Sequence, residues 1–197
     1  TADPTRRLSS MDVLDDTEHA LLDEWGNRAV LTQPASTPVS IPVLFATQVV
    51  RAPEAVAISC AGRSLTYREL DEASNRLAHL LVDQGAGPGR CVALVFPRSA
   101  EAIVAMLAVL KCGAAYVPID PGLLAARIGF MLAYAAPIAA ITTTDLHPRL
   151  DGHDLVVIDI DDPRIATHPS TALPAPAADD LAYLIYTSGT TGTPKGV

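Results

Sequence analysis

From about residue 41 onward, short apolar runs alternate with longer segments that have helical periodicity. The apolar runs are VAISC (56–60), CVALVF (91–96), AYVPI (115–119) and LVVIDI (155–160). Each run has the length of one strand, and the segments between several of them have helical length, roughly 10 to 18 residues. This alternation predicts βαβ units, and therefore an α/β fold with a mainly parallel sheet and helices on both of its faces.

Local signals mark where the helices of this region begin and end. Thr66 and Glu69 have the spacing of a capping box at the start of one helix. A second helix is expected to begin after Ser99 and to stop at Gly113. The apolar run LAYLIY (181–186) predicts the last strand before a loop rich in small residues.

The first 36 residues follow a different pattern. LDDTEHALLDEWGNRA predicts one amphipathic helix with Asp15 and Glu18 as a capping box and Gly26 as its stop. One short helix has no core of its own, so we expect it to dock on something else. The prolines of TQPASTPVSIP predict an extended linker. We therefore divide the chain into 1–36, an interdomain linker with one amphipathic helix, and 37–197, the main domain.

Composition excludes several classes of function. A net charge of -8 and a pI near 4.9 argue against nucleic-acid binding and against binding to anionic membranes. The longest apolar runs are shorter than a membrane span, and no secretory signal is visible. The three cysteines form no CxxC pair and the five histidines no HExxH motif, so we expect no metal site and a cytoplasmic setting.

The last twelve residues, YTSGTTGTPKGV (186–197), have the composition of a phosphate-binding loop. Backbone amides and hydroxyls that could bind phosphate oxygens belong to Thr187, Ser188, Gly189, Thr190, Thr191 and Gly192. Lys195 adds a mobile positive charge. The string is not the P-loop of the NTPases, because no Ser or Thr follows the lysine. Composition alone is also compatible with a flexible loop that binds nothing.

Three motifs together resemble one family. YTSGTTGTPKGV resembles the signature loop of the adenylate-forming superfamily, the AMP-binding enzymes. LTYREL (65–70) and LKCGAAYVPID (110–120) resemble the two preceding core motifs of nonribosomal peptide synthetase adenylation domains, in the same order and spacing. LDDTEHALLDEWGNRAVL resembles the segment that joins a condensation domain to an adenylation domain. The resemblance implies the N-terminal portion of the adenylate-forming fold, present here as an incomplete domain.

The resemblance also implies an activity. A parent ligase would use ATP and Mg²⁺ to convert an amino acid to its aminoacyl-adenylate, and would then transfer it to phosphopantetheine on a separate carrier domain. Residues 187–192 would bind the β- and γ-phosphates, and Lys195 would act as a catalytic residue on the departing pyrophosphate. Condensation and carrier domains of the same synthetase would be its partners. We expect the 197 residues by themselves to be inactive.

Two other interpretations remain open from the sequence. The chain could belong to an acyl-CoA or aryl-acid ligase of the same superfamily, although the upstream linker and AYVPID favour amino-acid activation. It could also be a non-catalytic remnant or interaction fragment. The amino acid and the final peptide product are not encoded in any motif of this chain.

Overall fold

The computed structural model describes residues 14–26, 37–187 and 195–197. The chain divides into two compact units, Thr1–Pro38 and Val39–Val197. Within the described residues, no helix is both long and apolar enough to cross a membrane.

The first unit contains helix α1, Asp16–Trp25. The predicted capping box is confirmed, because the Glu18 amide donates to the Asp15 carboxylate and the Asp15 amide donates to the Glu18 carboxylate, both at 2.9 Å. The helix ends where predicted, with the Gly26 amide donating to the Leu22 carbonyl. None of its residues is buried, and the Trp25 side chain is 73% exposed.

The second unit holds the remaining helices and all of the strands that the structure describes. The helices are α2 (Ile41–Arg51), α3 (Tyr67–Asp83), α4 (Ala100–Lys111), α5 (Ala125–Ala135) and α6 (Pro163–Thr167), with a 3₁₀ helix over Thr144–Leu150. The strands are β1 (Val56–Cys60), β2 (Arg63–Thr66), β3 (Cys91–Val95), β4 (Ala115–Ile119), β5 (Ala139–Thr142), β6 (Val156–Asp159), β7 (Tyr186–Thr187) and β8 (Lys195–Gly196).

Four strands form the central sheet, in the order β4-β3-β5-β6, and every pair is parallel. Alternate residues of β3 face opposite sides. Val92 and Leu94 lie in one apolar core with α3 and α4, whereas Ala93 and Val95 lie in a second core with α5. The predicted α/β fold, with a parallel sheet and helices on both faces, is therefore confirmed.

The run 56–60 is a strand, as predicted, but it lies outside the parallel sheet. β1 pairs antiparallel with β2, a strand that the alternating pattern did not predict. The two turn residues, Ala61 and Gly62, have φ of 50° and 78°, the left-handed values that a tight hairpin needs. β2 leads directly into α3, whose Thr66 and Glu69 form the predicted capping box.

Residues 181–186, predicted as the last strand, form only a small part of a β-ladder. They make one parallel bridge to β4, in which the Tyr116 amide donates to the Ala182 carbonyl and the Leu184 amide donates to the Tyr116 carbonyl. Two residues further along β4, Pro118 has no N–H to continue the ladder on that side. The segment therefore runs beside β4 and forms a ladder only at β7.

Candidate functional site

The two ends of the signature loop are held side by side by a short antiparallel ribbon. β7 pairs with β8, which places Thr187 opposite Lys195. The ribbon continues one residue outward, where Ile185 and Val197 exchange two backbone hydrogen bonds of 2.9 Å. The Thr187 hydroxyl donates to the Lys195 carbonyl oxygen at 3.5 Å. The loop therefore leaves and re-enters the ribbon at adjacent positions.

The structure describes two of the seven predicted loop residues. Thr187 and Lys195 are both exposed at the base of the loop. Ser188, Gly189, Thr190, Thr191 and Gly192 lie outside the described residues. Among the residues that are described, no ion pair or hydrogen bond involves the Lys195 ammonium. This lysine is thus a positive charge without a structural counter-ion in that part of the chain.

An aromatic cluster, defined as Phe130, Tyr134 and Tyr186, joins the ribbon to α5. The Tyr186 ring meets both α5 rings edge-on, at centroid distances of 6.4 Å to Phe130 and 6.1 Å to Tyr134. Its hydroxyl donates to the Met131 carbonyl oxygen at 3.4 Å. Burial of the ring raises the pKa of Tyr186. The sequence analysis missed this cluster, although two aromatic residues four apart in ARIGFMLAYA signal one aromatic helix face.

Gly196 lies opposite Tyr186 in the ribbon and permits a close approach there. A Cβ atom at this position would lie 2.8 Å from Cδ2 of Leu184 and 3.5 Å from Cζ of Tyr186. A side chain at the glycine that follows the lysine would therefore force the Leu184 side chain to move.

A second lysine in a predicted motif has a different environment. Lys111 ends α4 and is only 8% exposed. Its ammonium donates to Asp71 Oδ1 at 2.8 Å and to Ser74 Oγ and Asn75 Oδ1, each at 2.7 Å, all on α3. The same ammonium lies 5.3 Å from the centre of the Phe45 ring. Burial lowers the pKa of Lys111, and the hydrogen bond and charge of Asp71 oppose that shift.

Two cavities of the second unit lie away from the ribbon. One, of about 560 Å³, is enclosed by the β1–β2 hairpin, α3, α6 and the start of α4. Another, of about 760 Å³, opens where β3 and β4 end, next to Arg98 and Asp120. Neither is lined by Thr187 or Lys195.

In a comparison with protein families, the chain matches the AMP-binding enzyme family over residues 45–197. Among curated proteins, the chain is 63% identical over 196 residues to the isonitrile lipopeptide synthase of Mycobacterium tuberculosis. It is 38% identical over 192 residues to a dimodular nonribosomal peptide synthase of Bacillus subtilis. These matches cover 100% and 94% of this chain, and the chain spans 8% of the length of each relative.

The solved structures that resemble this chain include proteins of nonribosomal peptide synthesis as well. The nonribosomal peptide synthetase FmoA3, in its α-methyl-L-serine-AMP bound form, superposes with a TM-score of 0.82 at 30% identity. That match covers 95% of this chain and 20% of the synthetase. The N-terminal subdomain of Klebsiella oxytoca NpsA superposes with a TM-score of 0.71 at 30% identity, over 82% of this chain and 42% of that subdomain.

Proposed function

Because the chain belongs to the AMP-binding enzyme family, as its motifs predicted, we propose that it is the N-terminal part of an adenylation domain in a nonribosomal peptide synthetase. The proposed substrate is an amino acid, and the proposed reaction converts it and ATP to an aminoacyl-adenylate and pyrophosphate. One observation carries the proposal: Thr187 and Lys195, at the two ends of the signature loop, are paired in one ribbon, and the Lys195 ammonium has no ion pair among the described residues.

In the proposed reaction, a carboxylate oxygen of the amino acid attacks the α-phosphorus of ATP. A new P–O bond forms there, the bond to the α,β-bridging oxygen breaks, and pyrophosphate leaves with that electron pair. Lys195 would offset the negative charge that accumulates on the leaving group, because a preorganised cation acts where charge develops. Hydroxyls and amides of residues 187–192 would hold the β- and γ-phosphates.

The described residues contain no group of three or more His, Cys, Asp or Glu side chains that could hold a metal ion. Mg²⁺ enters the proposal as the counter-ion of ATP, and no residue of this chain is assigned to it. The phosphopantetheine thiol that would accept the aminoacyl group is likewise proposed to come from a separate carrier domain.

Residues 1–36 are proposed to link a condensation domain to the adenylation domain that begins at residue 37. Support comes from α1, which is capped at both ends but buries none of its residues, and whose Leu22 and Trp25 are 50% and 73% exposed. In a complete synthetase, Trp25→Ser should then impair peptide-bond formation and leave amino-acid activation intact. We place this chemistry in the cytoplasm, in keeping with three free cysteines.

A chimeric synthetase tests the proposed activity. The chain would replace the matching segment of the Mycobacterium tuberculosis relative, and amino-acid-dependent ATP–pyrophosphate exchange would be measured. We expect the chimera to retain exchange and Lys195→Ala to abolish most of it. Arg164→Ala is the matched control, because that exposed guanidinium pairs with Asp162 elsewhere in the unit. Equal exchange in the Lys195→Ala and Arg164→Ala chimeras would refute the role of Lys195.

A further inference from the structure

The ribbon at the base of the signature loop is too short to fix the loop by itself. β7 and β8 contain two residues each, and isolated two-stranded ribbons are marginal in water. The segment before β7 has one bridge to the sheet, and its outward-facing side chains Leu181, Tyr183 and Ile185 are 43% to 57% exposed. Some other contact must therefore set where the ribbon lies.

Tyr186 makes that contact with α5. Its ring packs edge-on against Phe130 and Tyr134, which are themselves stacked at 6.0 Å. Edge-to-face pairs at these distances are favourable beyond the area they bury. The bond from the Tyr186 hydroxyl to the Met131 carbonyl, at 3.4 Å, is long, so the ring carries more of the interaction than the hydroxyl.

The helix on the other side of this contact is rigidly held. Ile128, Met131 and Leu132 of α5 are 0%, 3% and 6% exposed, in the core beneath the second face of the sheet. Tyr186 therefore joins the loop to a helix that is part of the folded core. Gly196 leaves the space in which the Tyr186 and Leu184 side chains can lie against the opposite side of the ribbon.

We infer that the aromatic cluster of Phe130, Tyr134 and Tyr186 sets the position of Thr187 and Lys195 at the base of the phosphate-binding loop, with Tyr186 as a positioning residue. The inference rests on the proposed function of that loop and adds to it a determinant on α5. Tyr186 acts through the ribbon: its ring fixes β7, β7 fixes β8 by pairing, and β8 carries Lys195.

Tyr183 provides a matched control within the same segment. It lies three residues earlier, is also a partly exposed tyrosine, and has an aromatic partner, Tyr116, at a centroid distance of 5.8 Å. That partner belongs to β4 and not to α5. If any loss of aromatic packing loosens the ribbon, Tyr183→Ala and Tyr186→Ala should affect it alike. If Tyr186 is the positioning residue, only Tyr186→Ala should loosen it.

The first experiment measures amide hydrogen exchange in the 197-residue chain without ligand. Tyr186→Ala should accelerate exchange of the Ile185 and Val197 amides by about fivefold or more, from the loss of two aromatic pairs. Amides of β3 and β5 should be unchanged, Tyr186→Phe should behave as the unsubstituted chain, and Tyr183→Ala should leave the Val197 amide protected. Unchanged exchange of both ribbon amides in Tyr186→Ala would overturn the inference.

The second experiment measures kinetics in the chimeric synthetase. Tyr186→Ala should raise the KM for ATP and for pyrophosphate by about threefold to tenfold and leave the KM for the amino acid unchanged. Tyr186→Phe should keep both values near those of the unsubstituted chimera. An equal rise in the KM for the amino acid would overturn the positioning role. Exchange that is independent of Lys195 would instead overturn the proposed function, while the amide exchange still decides the structural contact.

Discussion

Two lysines of this chain, each in a motif and each followed closely by a glycine, have opposite environments. Lys111 is 8% exposed, and its ammonium has three side-chain oxygens as hydrogen-bond partners, all on α3. Lys195 is exposed at the end of a two-residue strand, and its ammonium has no ion pair among the described residues. The two residues are similar in type and in sequence context, but the hydrogen-bond partners of their ammonium groups differ completely.

The difference separates a structural cation from one that is free for chemistry. A buried ammonium is tolerated only when its hydrogen bonds and its charge are both satisfied, and such a group has nothing left to offer a ligand. An unpaired ammonium beside a loop of small residues costs the fold little and can follow a phosphate. The contrast therefore predicts that substitution of Lys111 changes stability and that substitution of Lys195 changes activity.

Lys111→Met should have the largest effect on stability. It removes the cation from Asp71, Ser74 and Asn75 and leaves buried acceptors without a donor. We expect a loss of about 3 to 5 kcal/mol in the free energy of unfolding, the usual range for breaking a buried pair. Urea denaturation of the chain measures it, with Lys195→Met as the control. A smaller loss of unfolding free energy in Lys111→Met than in Lys195→Met would contradict the structural role of Lys111.

Lys195→Met should have the next largest effect, on activity alone. Removal of one preorganised group that stabilises a developing charge costs about a hundredfold or more in rate. Its free energy of unfolding should stay within about 0.5 kcal/mol of the unsubstituted chain, because the side chain is exposed. Pyrophosphate exchange in the chimera and urea denaturation of the chain test the two halves. If Lys195→Met lost as much stability as Lys111→Met, the contrast between a structural and a functional lysine would be wrong.

Gly196→Ala sharpens the comparison at the loop base. Its Cβ would lie 2.8 Å from Cδ2 of Leu184, so that side chain must move. We expect a loss of about 1 kcal/mol, because the colliding atom is the end of a flexible side chain. Gly87→Ala is the control, since the nearest atom to its Cβ is 4.0 Å away. Equal thermal stability of the two variants would show that the ribbon tolerates a side chain here.

The smallest predicted effect is a pH dependence that belongs to Lys111. Burial lowers its pKa from the ordinary 10.5, so in the alkaline range below 10.5 the unfolded state binds more protons than the folded state. The stability of the unsubstituted chain relative to Lys111→Met should therefore increase as pH rises through that range. A stability difference from Lys111→Met that shrinks with rising pH would mean that the pKa is raised instead.

Much of the fold could be predicted because it depends on local patterns. The buried runs of the central sheet, both capping boxes and the helix stop at Gly26 follow from periodicity and from residues three apart. Residues 181–186 show the limit: their apolar pattern predicts a strand, but Pro118 on the neighbouring strand interrupts the ladder. Such an effect depends on a partner more than 60 residues away in the sequence.

The sequence predicts which residue types form the candidate site, but it does not predict the tertiary contacts next to them. The string TSGTTGTPKG signals phosphate chemistry because small residues, hydroxyls and a lysine occur together. The contacts next to its base are long-range: Tyr186 meets Phe130 and Tyr134 only after the sheet brings α5 beside the ribbon. The partners of Lys111 on α3 are likewise set by helix packing and leave no local signal in the sequence.

A titration of the 197-residue chain with pyrophosphate, followed residue by residue through its amide NMR signals, tests the central claim most directly. The account predicts saturable shifts at Thr187 and Lys195 that disappear in Lys195→Met and persist in Arg164→Ala. Shifts of equal size in Lys195→Met, or shifts confined to Arg63 and Arg98 at the cavity under the β1–β2 hairpin, would contradict it.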